Sequence, residues 1–173
     1  MIGRTIPQWF TRLVLASLIA VSPIITGCSK PTSESASDSN KSLVRYMNDQ
    51  VWNQGNLDVI DELYAPDFVR HFLPDGSELR GIDSFREHVR QHREAFPDWR
   101  EEIQHIVAEG DLVVLHFVST GTNAGSWRGS PATGRKIQID EMSILRIEGG
   151  KIAEQWLMPD IFSMQQQLAR ANE

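Results

Sequence analysis

The sequence predicts an α+β fold, a curved and mainly antiparallel sheet packed on three N-terminal helices, in a shape that can enclose a conical cavity. Two observations carry this. From Leu43 to Phe96 apolar residues recur at three- and four-residue spacing, the stripe of helices packed by one face. From Trp99 to Met158 they alternate with polar residues in four segments joined as two hairpins, with no helical pattern inside either pair, which argues against βαβ units.

The elements follow in order. Leu43, Val44, Met47 and Val51 define a first helix, stopped at Asn53-Gln54-Gly55, where Gly55 suits the left-handed position past a helix end. Asn56 can cap a second short helix with Leu57, Ile60, Leu63 and Tyr64 on one face; Ala65-Pro66-Asp67 breaks it, and Phe68–Phe72 reads as a short strand. After Gly81 a third helix carries Ile82, Phe85, Val89, His92 and Phe96, ended by Pro97-Asp98. Strands over 99–108 and 111–120 turn at Glu109-Gly110, and strands over 137–147 and 151–158 turn through Glu148-Gly149-Gly150. The Gly-, Ser- and Pro-rich stretch between the hairpins is long enough for a rim loop, and 160–169 reads as a last helix.

The residues ahead of these elements form a different kind of sequence. Arg4 and Arg12 precede a fifteen-residue apolar run, Leu13–Gly27, too short to span roughly 30 Å of hydrocarbon as a helix. The run ends in Ile-Thr-Gly-Cys and resembles a bacterial lipoprotein signal, in which Cys28 becomes the acylated N-terminus after cleavage behind Gly27. Residues 28–40, dominated by Ser, Asp, Glu and Lys, read as a flexible acylated tether, leaving 41–173 as the folded domain. The expected location is the bacterial cell envelope, lipid-anchored, with the periplasmic side of the outer membrane preferred because Ser29 is not an inner-membrane-retaining aspartate.

The chain has 173 residues and a net charge of −6; removal of Arg4 and Arg12 leaves 15 Lys+Arg against 23 Asp+Glu. That balance argues against nucleic acid as a partner, since phosphate binding needs clustered cations. One cysteine excludes an internal disulfide framework, a CxxC pair and a Cys-based zinc site.

Several motifs carry a resemblance. Tyr46-Met47-Asn48, Val51-Trp52-Asn53-Gln54-Gly55-Asn56, Pro66-Asp67-Phe68 and Phe96-Pro97-Asp98 occur in that order. They are followed by Gly121-Thr122, Gly125, Gly129, Pro131-Ala132-Thr133-Gly134-Arg135, Ile144-Leu145-Arg146-Ile147 and Gly150-Lys151-Ile152-Ala153-Glu154-Gln155-Trp156. Together they resemble the SnoaL-like polyketide cyclases and ester cyclases over residues 41–168. The resemblance implies the nuclear-transport-factor-2-like cone, a homodimer, no cofactor and no metal, and an intramolecular aldol condensation as the best-known activity. It also places the family's acid/base aspartate at Leu157, its companion histidines at Ser143 and Gln155, and a rim-loop histidine at Asn123. Leucine takes no proton, so proton transfer here needs other groups.

The candidates are Asp160, Glu141, Glu154 and His116. Asp160 stands where the last strand meets the tail helix and serves equally as that helix's N-cap. Glu141 alternates with Ile139 and Leu145, and Glu154 has the parity of Ile152, Trp156 and Met158; if the strands are neighbours and that face is concave, two carboxylates converge beside Trp156. His116, and His71 at the end of the first strand, would orient substrate. Trp52, Phe68, Phe96, Trp99, Ser143 and Trp156 supply further candidate contacts, with Phe85 in the same aromatic set, and suit an apolar or aromatic small molecule. His88 and His92 lie one helical turn apart but lack a third ligand, so a structural role is preferred over a metal. The expected function is cofactor-free acid/base chemistry on an apolar carbonyl compound; a non-catalytic binding or accessory module and a cofactor-free hydrolase stay open beside it.

Overall fold

The first helix begins well before the apolar stripe does. In the computed structural model, which describes residues 33–169, α1 spans Ser33–Met47 and passes into a π-helical segment, Asn48–Asn53. Residues 33–40, expected as tether, are therefore helical: no Pro or Gly interrupts them, Lys41 pairs with Asp38 at 2.6 Å, and Asn40 Nδ2 donates to the Gly110 carbonyl. Cys28 and the apolar leader lie outside the described residues.

The second helix shortens to α2 (Ile60–Leu63) because the chain is already extended at Tyr64, and β1 runs Tyr64–Phe72. Pro66 is tolerated there because its stretch lies within a break in register between the Tyr64–Ile152 and Val69–Glu154 pairings. A short strand not expected from the pattern, β2 (Ser77–Arg80), folds back on β1, and Gly81 leads into α3 (Ile82–Ala95). Then follow β3 (Arg100–Glu109), β4 (Leu112–Thr122), β5 (Lys136–Glu148), β6 (Lys151–Pro159) and α4 (Ile161–Ala169).

The six strands form one mixed sheet in the order β2-β1-β6-β5-β4-β3, antiparallel except for the parallel β1–β6 pair. That crossover brings the N-terminal strand against the C-terminal one. The helices cover one face, where Val44, Val51, Phe85, Val89 and Phe96 meet Val113, Phe117, Ile137 and Leu145 in a continuous core.

One irregularity decides which side chains face that core. Arg146 pairs with Glu154 but Ile147 pairs with Ile152, so Ala153 is an extra residue in β6. A bulge of this kind shifts the parity of everything beyond it. Ile152 is inward; past the bulge Gln155 and Leu157 are inward, whereas Glu154, Trp156 and Met158 face the outer surface.

Candidate functional site

The inner face of the sheet is apolar except at a few places, and these converge. Arg70 lies between Phe68 and Phe72 on β1, Glu101 near the start of β3, and Glu141 between Ile139 and Ser143 on β5, all with inward parity. With Asn48 and Trp52 of the π-helical segment, Trp99, and His88 and His92 of α3, they line a cavity of about 70 Å³. The π-helical segment is pinned to β3, because Asn53 Nδ2 donates to the Glu101 carbonyl at 3.0 Å and the Glu101 amide donates to Asn53 Oδ1 at 2.7 Å. This registers Asn48 against the Glu101 side chain.

The mouth is set by the loop after β4. Asn123, almost fully buried, donates to the Gly125 carbonyl and accepts from the Thr133 amide and hydroxyl, closing the loop on itself. Gly125 lies so close to α3 that a Cβ there would stand 2.4 Å from the Glu94 carbonyl oxygen. The loop thus holds Trp127 against His92 (ring centroids 5.0 Å apart) and Phe96 (5.5 Å), and carries Arg128 over Phe72.

The two glutamates are held differently. Glu101 accepts from Asn48 Nδ2 at 2.6 Å and from Trp99 Nε1 at 3.2 Å, one donor on each oxygen. Glu141 is 6% exposed and its Oε1 has no hydrogen-bond partner; the neighbouring Ser119 hydroxyl holds its carboxyl down in part. Burial raises both carboxyls above the usual carboxylate range, and the charge of Glu141 raises Glu101 further, while Arg70 opposes both shifts. The pair therefore retains a proton close to neutral pH and titrates as a unit. Burial, with the Arg70 charge second, lowers His88 and His92, the latter to about 3, so both rings are neutral beside the pair.

Of the residues singled out from sequence, Glu141, Trp52 and Trp99 line this cavity. Glu141 and Glu154 do not converge: the Ala153 bulge turns Glu154 outward, where it is bonded to His71 at 2.8 Å and Arg146 at 3.0 Å. The same reversal puts Trp156 outside, stacked on His71 at 5.2 Å. His116 is also on the outer face, against Asp140 at 2.8 Å and His105 at 3.1 Å. Asp160 is exposed and caps α4, accepting from the Ser163 amide at 2.9 Å and hydroxyl at 2.6 Å; those bonds lower its pKa, the reverse of a desolvated base. Phe68 and Phe96 are fully buried core, and Ser143 is an interior acceptor for Gln155 Nε2. Among the described residues no group of three or more His, Cys, Asp or Glu is arranged to hold a metal ion.

Glu101 and Arg70 escaped the sequence reading, yet each carries a signal. Arg70 has the parity of Phe68 and Phe72, and Glu101 that of Trp99, so each is a charge on an aromatic face. The histidine pair of α3 faces the same space.

Residues 42–168 match the SnoaL-like polyketide cyclases as a family. The chain belongs to that family. Over 122 residues it is 30% identical to the aklanonic acid methyl ester cyclase DnrD of Streptomyces peucetius, covering 69% of this chain and 83% of that protein. It is 28% identical to the nogalonic acid methyl ester cyclase of Streptomyces nogalater, covering 68% and 88%. Among solved structures, IdmH of Streptomyces antibioticus superposes with a TM-score of 0.66 at 28% identity, covering 76% of this chain and 99% of that one. A SnoaL-like protein of Jannaschia sp. CCS1 gives 0.74 at 21% identity, covering 84% and 100%, and shares the fold. Within this SnoaL-like frame, the four positions to which the resemblance assigns titrating side chains are all buried: Leu157 on the cavity wall, Ser143 and Gln155 bonded to each other, and Asn123 stapling the rim loop. The buried carboxyls of this cavity stand on β3 and β5.

Proposed function

We propose that this SnoaL-like domain catalyses cofactor-free proton transfer on an apolar or aromatic carbonyl compound, of cyclase or isomerase type. The observation that carries the reading is the buried Glu101–Glu141 pair facing an aromatic-walled cavity, with an oxygen of Glu141 bonded to nothing. Two carboxyls sharing a proton offer a base and an acid in one site. Glu141 takes the proton from a carbon beside a carbonyl; in a cyclase the freed electron pair forms a C–C bond to a second carbonyl carbon of the same molecule. The oxygen of that carbonyl takes its proton from the pair, so no net charge remains. Glu101, fixed by Asn48 and Trp99, holds the pair in register.

Hydrogen–deuterium exchange at the acidic carbon of an aryl β-keto ester in D₂O, followed by NMR, tests this without knowledge of the product. The domain is expected to accelerate exchange over buffer, with Glu141→Gln reducing the acceleration at least 100-fold. No acceleration across a panel of such esters favours the second reading, a binding module. Leu157 at the family's aspartate position and the modest cavity support that alternative.

On either reading the domain would work at the cell envelope, held by a lipid on Cys28. Metabolic labelling with an alkyne fatty acid should mark the protein, and Cys28→Ser should abolish the label.

A further inference from the structure

Proton transfer by the glutamates leaves one charged group of the cavity without a task. Arg70 is 9% exposed, and its side chain neither donates a hydrogen bond nor forms an ion pair with any described residue; its Nε is enclosed and unpartnered. Its guanidinium stands 5.4 Å from the centroid of the Trp52 ring, a contact that covers one face, and Arg70 lines both the central cavity and the cleft beside Phe72 and His88. The interior offers this cation little compensation. Glu101 and Glu141 act on it through space without reaching ion-pair distance, and both are disposed to keep a proton; His88 and His92 are neutral. A largely buried guanidinium with its planar fork unused is the arrangement that receives a carboxylate by two parallel hydrogen bonds.

A second cation marks the way in. Arg128 is exposed on the rim loop, in the left-handed region at φ 48°, and forms no ion pair among the described residues. It lies 4.6 Å from the Phe72 ring centroid and 5.8 Å from that of Trp127. It borders the central cavity, the cleft of about 290 Å³ between the rim loop and α4, and the smaller cleft beside Phe72 and His88. The domain as a whole is acidic, so an unpaired arginine at the mouth and another at depth stand against the general field.

We infer that the ligand of this cavity is an aromatic or apolar carboxylic acid, bound as its carboxylate by Arg70, with its ring between the tryptophans and Arg128 drawing it in at the mouth. The inference deepens the proposed small-molecule site by naming the ligand class. It separates this protein from relatives named for methyl esters, in which the same carboxyl would be neutral.

Binding of benzoate and of methyl benzoate, measured by ligand-observed NMR titration at fixed salt, tests the inference with no turnover needed. The wild-type domain is expected to bind benzoate at least ten-fold more tightly than the ester. Arg70→Gln should bring the two within about two-fold by weakening benzoate, and Arg128→Gln should weaken benzoate two- to three-fold and flatten its salt dependence. Equal wild-type affinity for acid and ester overturns the inference, as does a folded Arg70→Gln domain that keeps the preference. Should that variant not fold, Arg70→Lys decides. Loss of the planar fork is expected to weaken benzoate about five-fold, and unchanged binding overturns the assignment. Loss of deuterium exchange in Glu141→Gln together with no acid preference would remove Arg70 from the site and leave proton transfer standing; an acid preference without exchange would do the opposite.

Discussion

Replacing Glu141 by Gln should stabilise the domain while removing its proton-transfer group. The native fold pushes the Glu141 carboxyl from an ordinary value of 4.5 up to about 7, chiefly by burial, with Ser119 and Arg70 opposing. Below pH 4.5 the side chain is protonated in both folded and unfolded chains, so the substitution changes little. As pH rises the unfolded chain ionises first, and the native state loses relative stability until the folded carboxyl also ionises near 7; above that the deficit is constant. Two and a half pKa units correspond to roughly 3 kcal/mol at pH 8, an upper figure because ionisation can draw water or a side chain toward the site. Gln fills the same volume without the charge, so Glu141→Gln is expected to gain about 1–3 kcal/mol at pH 8 and less than about 0.5 kcal/mol at pH 4.5. Urea denaturation of both proteins at several pH values measures this, with an unchanged slope showing that the compactness of the end states is the same. A variant less stable than wild type at pH 8, or a difference independent of pH, would refute the reasoning about the buried pair.

Three further outcomes follow from the same geometry. Gly125→Ala should cost about 2 kcal/mol or more in urea denaturation, because its Cβ would meet the Glu94 carbonyl oxygen at 2.4 Å and the Ala95 Cα at 3.1 Å. The displaced loop carries Trp127 and Arg128, so ligand binding should weaken too. Asp160→Ala should cost about 1 kcal/mol as a lost N-cap and leave deuterium exchange at the wild-type rate; a loss of exchange would return Asp160 to the active site. Leu157→Asp, at a position only 4% exposed, should destabilise the domain by about 3 kcal/mol or more at pH 8 and much less at pH 4.5, since a buried unpaired carboxylate is tolerated when protonated.

Much of the fold was legible in the sequence because its signals are local. The helix over 82–95 and the four long strands arise from apolar spacing and Gly-rich turns that act within a few residues, and the ordered motifs marked the family across 41–168. The site was legible in part: Glu141, Trp52 and Trp99 were marked, whereas Asp160, Glu154 and His116 pointed elsewhere. Alternation assigns residues to two faces but does not say which face the helices cover.

By itself, then, the sequence determined the α+β order and the hairpins, both properties of residue type and short-range spacing. Only the tertiary structure decided which carboxylates meet. The bulge at Ala153 reverses the facing of β6 and sends Glu154 and Trp156 outward, while the packing of helices on the inner face draws Arg70, Glu101 and Glu141 from three strands into one cavity. Those residues lie far apart in the chain, and their altered protonation comes from shared burial, a property no one of them has alone.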